Sequence, residues 1–266
     1  MPEHRDPCLI LHSMSDDGGF YDHDGVASTY LEHRQRPDNP NDAIERPTFL
    51  GLVGGLSGLD IIDLGFGATA FGREALEAGA RSYLGIEVSE RMADLARHNL
   101  EGLAGRVDHQ AIEEWSAEAA GADLVTSRLA LNYVEDLDGV FRQVRKALRP
   151  SGRLVVSVEH PVITSSFASL ADGRRTSWLV DDYFRTGARP HQWLGREVVK
   201  YHHTLNDWLD LIENSGLRLE RLRESHPARE NFQSEQEYER RLRIPLFLFL
   251  VARKAAQPEA RLPGGA

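Results

Sequence analysis

Short apolar runs alternate with helix-like patterns from residue 59 of the chain onward. Most of these runs are rich in Ile, Leu and Val, which is typical of buried strands. The runs are LDIIDL (59–64), SYLGIE (82–87), ADLVTS (122–127) and RLVVSV (153–158), with a weaker one near VDHQAIE (107–113). Strands that alternate with helices in this way predict βαβ units around a parallel sheet.

Apolar residues recur at helical spacing between and after these runs. Ser89 is the predicted N-cap of a helix that carries Met92 on its apolar face. Thr204 begins a later helix, and Asp207 three residues on is typical of a capping box. The most regular stripe follows the fourth run and comprises Leu137, Val140, Phe141, Val144 and Leu148. The run PLFLFLVA (245–252) predicts a final buried strand.

Composition and charge narrow the function classes. No stretch of the 266 residues approaches the ~18–20 apolar residues that span a bilayer. The net charge of −10 is the opposite of what a nucleic-acid binder usually shows. Cys8 has no second cysteine to pair with, which fits a reducing compartment, and the start of the chain lacks the pattern of a signal peptide. We predict a cytoplasmic protein that binds neither membrane nor nucleic acid.

A glycine-rich turn after the first predicted strand is the first candidate for a ligand site. In an open α/β sheet, ligands bind beyond the carboxyl ends of the strands. The turn reads Asp63-Leu-Gly65-Phe-Gly67, and glycine lets the backbone approach a ligand closely. Glu87 ends the second strand 22 residues after Gly65, close to the ~20 expected of an acidic residue that binds a ribose diol.

Two cofactors fit this arrangement. Gly65, Gly67 and Ala70 satisfy the dinucleotide fingerprint G-x-G-x-x-[GA], although a lone match is weak. Asp63 favours S-adenosylmethionine (SAM), because a carboxylate at the strand end could orient an ammonium group but would repel a pyrophosphate. About 60 residues also precede the turn, whereas dinucleotide domains commonly open with it.

Several segments resemble the class I SAM-dependent methyltransferases. IIDLGFGATAFGREALEAGA is similar to their first motif, and YLGIEVSERMADLAR to their ribose-binding strand and helix. ADLVTSRLALNYVEDLDGVFRQVRKALRPSGRLVVSVEHP and IPLFLFLVARK resemble the fourth to fifth strands and the closing strand. The resemblance implies a Rossmann-like seven-stranded α/β sheet, mostly parallel with an antiparallel last strand, and helices on both faces.

The resemblance also implies a division of the chain and a set of cofactor contacts. The segments are an N-terminal segment with lid helices (1–54), a SAM-binding core (55–160), an insertion over the active site (161–200), the C-terminal part of the core (201–255) and a flexible tail (256–266). The resemblance implies that Gly65 and Gly67 lie at the methionyl part of SAM, Asp63 at its amino group and Glu87 at its ribose. It implies that the adenine lies among Val88, Met92, Ile112 and Glu113, and that Ser127 and Arg128 line the mouth of the site.

This sequence departs from the family pattern at two positions. Thr69 replaces the usual third glycine, and a β-branched residue is costly at positive φ. Ala111 stands where an acidic residue is frequent. The departures leave open an enzyme that uses SAM without transferring its methyl group, such as a cyclase or isomerase. A binding module with a degraded site and an NAD(P) oxidoreductase are more distant alternatives.

Methyl transfer needs a base only where the acceptor keeps its proton. His160 follows the fifth strand and His203 precedes the Thr204 helix, so both are candidate bases, although a turn histidine fixed by Pro161 is an equal interpretation of His160. The expected partner is a small-molecule acceptor, and a homodimer remains open. The histidines lack metal-binding spacing, so we predict no metal. Candidate substrate contacts are Tyr21, Asn132, Tyr133 and Trp178.

Overall fold

The computed structural model describes residues 19–34, 36–67, 70–168 and 177–255. It contains nine strands in this part of the chain, seven in one central sheet and two in a separate hairpin. The strands are β1 (Asp60–Leu64), β2 (Ser82–Glu87), β3 (Gly105–His109), β4 (Ala122–Arg128), β5 (Leu148–Glu159), β6 (Gly187–Trp193), β7 (Arg196–His202), β8 (Leu217–Glu224) and β9 (Phe247–Lys254).

Eight α-helices connect or flank these strands in the described residues. They are α1 (Val26–Arg34), α2 (Arg46–Val53), α3 (Phe71–Glu77), α4 (Glu90–Asn99), α5 (Leu137–Ala147), α6 (Pro161–Thr164), α7 (Leu205–Asn214) and α8 (Glu235–Arg241). A π-helical turn, Asn41–Glu45, leads directly into α2. The described helices are all too short or too polar to cross a membrane.

The central sheet has the strand order β3-β2-β1-β4-β5-β9-β8. Strands β1 to β5 run parallel, and β9 is antiparallel to both of its neighbours. The predicted fold class, a mostly parallel seven-stranded sheet with an antiparallel last strand, is confirmed. The order reverses between β1 and β4, and such a switch point opens a crevice at the carboxyl ends of the strands.

Apolar side chains fill both faces of the sheet. One core cluster packs Phe141 of α5 and Trp208 of α7 against the sheet. The other packs Phe49 of α2 and Phe71 of α3 against the opposite face. Strand β9 is buried from Phe247 to Ala252, because it lies between two other strands and under helices. Helices cover both faces, as the βαβ pattern predicts.

Local capping signals are confirmed, whereas the bounds of one predicted strand need correction. The Ser89 hydroxyl accepts from the Met92 amide at the start of α4, and Thr204 with Asp207 forms a full capping box on α7. The third strand covers Gly105–His109 rather than 107–113, so Ile112 lies in the loop beyond it. The predicted insertion contains a two-stranded hairpin, β6–β7, whose second strand extends to His202.

Candidate active site

A cavity of about 580 Å³ lies at the carboxyl edge of the parallel strands. Three parts of the chain form its wall: the N-terminal segment, the loops after β1 to β5, and the β6–β7 hairpin. The N-terminal segment supplies Tyr21 and Tyr30, and the hairpin supplies Trp193 and Lys200. Segments that are distant in sequence therefore surround the crevice at the switch point between β1 and β4.

The glycine turn after β1 lies on the cavity wall and has left-handed backbone geometry. Gly65 has φ +67° and Gly67 has φ +58°, conformations that side chains rarely adopt. A Cβ on Gly65 would lie 2.3 Å from the Cβ of Ala130 and 3.2 Å from Cδ1 of Ile112. A Cβ on Gly67 would meet none of the described residues within 4 Å, so these residues leave open space beside it.

Glu87 lies at the base of the cavity, held by backbone amides. Its Oε2 accepts from the Gly67 amide at 2.8 Å and its Oε1 from the Ser89 amide at 3.1 Å. Burial raises the pKa of Glu87, and these amides offset part of the rise. The side chain is only 5% exposed and is preorganised, so its remaining lone pairs can accept from a ligand diol without rearrangement.

Beside Glu87, the wall combines apolar side chains with two further carboxylates, Glu113 and Glu114. Val88 follows β2, and Ile112 and Glu113 belong to the loop after β3. Burial raises the pKa of Glu113. An apolar slot with one polar edge suits a flat heteroaromatic ring such as adenine.

The N-terminal segment is attached to the start of α4, next to this slot. Asp22 Oδ1 accepts from the Ser89 hydroxyl at 2.7 Å and from the Arg91 amide at 3.0 Å, and its Oδ2 accepts from the Glu90 amide at 3.1 Å. The attachment holds Tyr21 over the cavity, where burial keeps the pKa of its phenol well above the usual value. The side of the cavity next to Glu87 and Val88 is thereby covered.

A buried ion pair forms the wall at the end of β4. Arg128 Nε donates to Glu45 Oε1 at 3.1 Å, and Arg128 Nη2 donates to Oε2 at 2.5 Å. Ser157 on β5 donates a further hydrogen bond of 2.7 Å to Glu45 Oε1. The guanidinium also lies 5.0 Å from the ring centroid of Phe49. The bidentate pair fixes the π-helical turn against the sheet.

A second buried ion pair joins the hairpin to the end of β5. Lys200 Nζ donates to Glu159 Oε1 at 2.7 Å and lies 5.2 Å from the ring centroid of Tyr133. Burial alone would lower the pKa of Lys200, but the Glu159 carboxylate more than offsets this and the pKa is well above its usual value. All three side chains line the cavity.

Comparison with known proteins identifies the family. A methyltransferase-domain model matches residues 61–152. The crystal structure of a SAM-dependent methyltransferase from Mesorhizobium loti is 35% identical, with a TM-score of 0.72 over 79% of this chain and 97% of that one. A structure from Listeria monocytogenes assigned to the same class is 30% identical, with a TM-score of 0.70 over 79% and 95%. A protein of Haemophilus influenzae is 27% identical over 91% of this chain and 99% of its own length.

This chain belongs to the class I SAM-dependent methyltransferases. SAM is accordingly its cofactor, and the described residues fit it. The open space beside Gly67 and the preorganised Glu87 would suit the methionyl part and the ribose diol of SAM. Val88, Ile112 and Glu113 would suit its adenine.

Asp63 is not on the cavity wall of the methyltransferase. It lies beneath the turn, 1% exposed, with Oδ2 accepting from the Tyr83 hydroxyl and Oδ1 from the Thr126 hydroxyl, each at 2.8 Å. Burial raises its pKa, and the two hydroxyls offset part of the rise. Asp63 is thus a buried residue that supports the turn, because both of its carboxylate oxygens already have partners from neighbouring strands.

Three further residues expected at the ligand are absent from the cavity wall. Met92 is fully buried under the α4 cap. Ser127 is buried and donates to the Leu64 carbonyl at 2.9 Å, which links β4 to β1. Asn132 accepts from the Glu159 amide at 2.8 Å and so ties the loop after β4 to β5. Each points into the protein because residues alternate between faces along a strand and around a helix.

Trp178 also lies apart from the cavity. Its ring contacts the guanidinium groups of Arg243, 5.1 Å from the ring centroid, and Arg240, at 5.8 Å. The insertion residue that does reach the cavity is Trp193, at the end of β6. Periodicity could not distinguish them, since both are tryptophans in a segment without a regular pattern.

The structure places neither predicted histidine base on the cavity wall. His160 caps α6: its Nδ1 accepts from the Val162 amide at 3.2 Å, and its Nε2 pairs with Glu224 Oε1 at 3.0 Å. It is 5% exposed, and burial lowers its pKa. His203 packs against Trp208, with ring centroids 5.4 Å apart, and burial lowers its pKa as well. The structure favours the interpretation of His160 as a turn residue fixed by Pro161.

The sequence predicted some residues of the cavity wall but not all of them. Of the expected residues, the cavity wall contains Tyr21, Gly65, Gly67, Glu87, Val88, Ile112, Glu113, Arg128 and Tyr133. It also contains Glu45 and Lys200, for which the sequence carries no local motif. A further residue of the wall is Glu159, and its position beside His160 at the end of β5 could have indicated this role. The described residues hold no cluster of potential metal ligands. Thr69 lies outside the described residues.

Proposed function

We propose that this methyltransferase transfers the methyl group of SAM to an oxygen, nitrogen or carbon atom of a small-molecule metabolite. The observation that carries the proposal is the cover over the cavity, formed by the N-terminal segment on one side and the β6–β7 hairpin on the other. A partly covered cavity suits a small acceptor better than a macromolecule, which needs an open groove.

The lining of the cavity supports the same class of acceptor. Tyr21 and Tyr30 pack with ring centroids 4.8 Å apart, and Trp193 adds an indole from the hairpin. Tyr201 donates to Glu135 at 3.1 Å, which joins the hairpin to the loop before α5. The cavity of about 580 Å³ has to hold both SAM and the acceptor, and its volume lies within the ~300–1,000 Å³ typical of small-molecule sites.

Charge supports the proposal as well. The chain carries 41 acidic against 31 basic residues, a net charge of −10. A nucleic-acid acceptor would require neutralisation of its phosphates by Lys and Arg, and affinity for such acceptors follows the number of those contacts. Arg128 and Lys200, two cations of the cavity wall, are already paired with Glu45 and Glu159.

Within this proposal, the residues of the cofactor side have distinct roles. Glu87 accepts from the ribose hydroxyls, and Val88 with Ile112 holds the adenine ring. The glycine turn lets the methionyl part of SAM lie against the backbone. These contacts present the sulfonium methyl group toward the remainder of the cavity, and such positioning is a large part of catalysis when the donor is already activated.

Calorimetry of SAM binding tests the cofactor roles. Hydrogen bonds to a charged group contribute ~1.5–3 kcal/mol, so Glu87→Ala should weaken SAM binding about 10- to 100-fold. Glu90→Ala is the matched control, because its side chain is exposed on α4 close by. Equal affinity of folded Glu87→Ala and wild type would remove Glu87 from the site.

An acceptor screen tests the substrate class. The protein is incubated with SAM and a cell extract that has been divided into a small-molecule filtrate and a macromolecular retentate. Release of S-adenosylhomocysteine (SAH) with the filtrate is expected. Release with the retentate alone would contradict the proposal. SAM binding with a converted metabolite but without SAH release would favour the alternative of a non-methylating reaction.

A further inference from the structure

The carboxylate of Glu159 is held at one oxygen and has no protein partner at the other. Its Oε1 accepts from Lys200 Nζ, whereas Oε2 is buried and none of the described residues forms a hydrogen bond with it. A buried acceptor without a partner costs about 1–3 kcal/mol, and more for a charged group. Glu159 also lines the cavity, and a ligand donor that reaches Oε2 from the cavity would satisfy it.

The position of Glu159 matches the place where the acceptor must lie. It is the last residue of β5, next to β4 in the sheet, and the methyl group must be transferred beyond these carboxyl ends. Glu87 and the glycine turn occupy the neighbouring ends of β2 and β1, which are the cofactor side. Glu159 therefore belongs to the acceptor side of the same cavity.

Three other titratable groups on this side are poorly suited to take a proton. Lys200 is held protonated, since its pKa is well above the usual value. Burial raises the pKa of Tyr133, so its phenol keeps its proton at neutral pH. Glu45 already accepts three hydrogen bonds, two from Arg128 and one from Ser157. Glu159 retains an unused acceptor atom.

We propose that Glu159 is the catalytic carboxylate that accepts the proton of the methyl acceptor, and that this acceptor presents a neutral hydroxyl or amine rather than a carboxylate or phosphate. The inference rests on the proposed function, which it deepens by naming the acceptor class. An anionic acceptor would place two negative charges together and leave Oε2 without a donor. A hydroxyl or N–H group satisfies Oε2 directly.

The proposed step balances as a single displacement. The acceptor atom forms a bond to the methyl carbon while the carbon–sulfur bond breaks, and the electron pair of that bond remains on sulfur. The O–H or N–H bond of the acceptor breaks, and its proton moves to Glu159 Oε2. The products are the methylated acceptor, neutral SAH and a protonated Glu159, which returns its proton to solvent.

Lys200 is a positioning residue in this arrangement. Its ammonium donates to Glu159 Oε1 at 2.7 Å and so orients the carboxylate. The cation also lies against the ring of Tyr133, which fixes the hairpin end of the cavity.

Binding of four matched probes to the SAH-saturated protein tests the inference. The probes share a para-methyl ring: 4-methylphenol and 4-methylaniline donate a hydrogen bond, 4-methylanisole does not, and 4-methylbenzoate is anionic. A charge-assisted hydrogen bond predicts that wild type binds the two donors about 10-fold tighter than the anisole, and the benzoate least well. Glu159→Gln should reduce the preference for donors about 5- to 10-fold and improve binding of the benzoate.

Two further variants serve as controls for the effect of Glu159→Gln on probe binding. Glu197→Gln makes the same change of charge at an exposed position on β7, outside the cavity wall, and should retain the wild-type preference. If Glu159→Gln fails to fold because Lys200 is left unpaired, Glu159→Gln/Lys200→Met removes both charges and should show the same loss of preference.

The outcomes separate this inference from the proposed function. Failure of wild type to bind SAH would count against the cofactor site and the proposed function. Intact SAH binding without a preference for donors in wild type, including no binding of any probe, would overturn this inference alone. An unchanged preference in Glu159→Gln or in the double variant would do the same, because another group would then make the contact.

Discussion

Asp22 and Ser89 connect the N-terminal segment to the start of α4 through a hydrogen bond of 2.7 Å from the Ser89 hydroxyl to Asp22 Oδ1. Ser89 is at the same time the N-cap of the helix, where its hydroxyl accepts from the Met92 amide at 3.2 Å. Glu87 precedes Ser89 by two residues. The same short segment therefore forms the helix cap, the attachment of the N-terminal segment and the part of the cavity wall where the ribose of SAM is proposed to bind.

Removal of the Asp22 carboxylate is expected to weaken SAM binding by loosening this cover. Asp22→Ala loses hydrogen bonds to Ser89 and to two backbone amides, and the loss of an N-cap partner alone costs about 0.5–2 kcal/mol. We expect a decrease in SAM affinity of about 10-fold by calorimetry, which corresponds to about 1.4 kcal/mol.

Asp24 offers a matched control for this prediction. It forms an ion pair of 2.8 Å with Arg91, but its side chain is 99% exposed, and such pairs contribute about 0–1 kcal/mol. Asp24→Ala should leave SAM affinity close to wild type. If Asp22→Ala and Asp24→Ala bind SAM equally well, the attachment at Asp22 does not organise the site.

The two glycines of the turn should respond differently to alanine. Gly65→Ala combines positive φ with a Cβ that would lie 2.3 Å from Ala130, so we expect a loss of about 2–5 kcal/mol in the free energy of unfolding. Gly67→Ala adds a Cβ in open space, and its cost should be about 1–2 kcal/mol from the backbone alone. Urea denaturation measures both.

The SAM affinity of Gly67→Ala tests the role of this glycine in cofactor binding. The open space beside Gly67 is where the methionyl part of SAM is expected, so Gly67→Ala should bind SAM more weakly although it folds. Wild-type affinity in Gly67→Ala would show that the ligand does not approach the backbone at this position.

The buried pair of Glu45 and Arg128 predicts a large, partner-dependent effect on stability. Their side chains are 1% and 9% exposed. Arg128→Met leaves Glu45 as an uncompensated buried charge and should cost about 3–5 kcal/mol in unfolding free energy. Glu45→Gln/Arg128→Met removes both charges and should recover part of that loss. A double variant no more stable than Arg128→Met would contradict the role of charge burial.

Buried histidines predict that the protein loses stability in mild acid. Burial lowers the pKa of His160, His202 and His203 in the folded protein. The unfolded chain then binds more protons as the pH falls below about 6.5, and stability decreases through that window. Burial raises the pKa of Asp63 and Glu87, which gives the opposite sign at lower pH, so a comparison with a variant is needed.

His202→Gln isolates one of these contributions. His202 is fully buried, with Nδ1 hydrogen-bonded to the Thr164 hydroxyl at 2.8 Å and Nε2 to the Tyr183 carbonyl at 2.9 Å. Glutamine can form similar hydrogen bonds but does not titrate in this range. Unfolding free energies at pH 7.5 and 5.5 should differ less in His202→Gln than in wild type. An equal difference in both proteins would show that His202 does not contribute to the acid sensitivity.

Much of the fold and of the cofactor side was determined by the sequence, because these features depend on neighbours along the chain. The period of apolar residues predicted the strands and helices, and capping at Ser89 and Thr204 depends on residues three positions apart. Gly65, Gly67 and Glu87 lie within 22 residues of one another, at the ends of two adjacent strands. Local motifs of this kind can be recognised from the sequence without knowledge of the tertiary structure.

Tertiary structure alone decided the acceptor side, because its residues meet through contacts that no sequence spacing encodes. Glu45 reaches Arg128 from 83 positions away, and Lys200 reaches Glu159 from 41 positions away. Whether a residue after β5 faces the cavity depends on the direction of each side chain: Glu159 lines the cavity, whereas His160 turns to cap α6. Adjacent residues of an extended chain point to opposite sides, and packing against β8 and the hairpin determines which side becomes the active site.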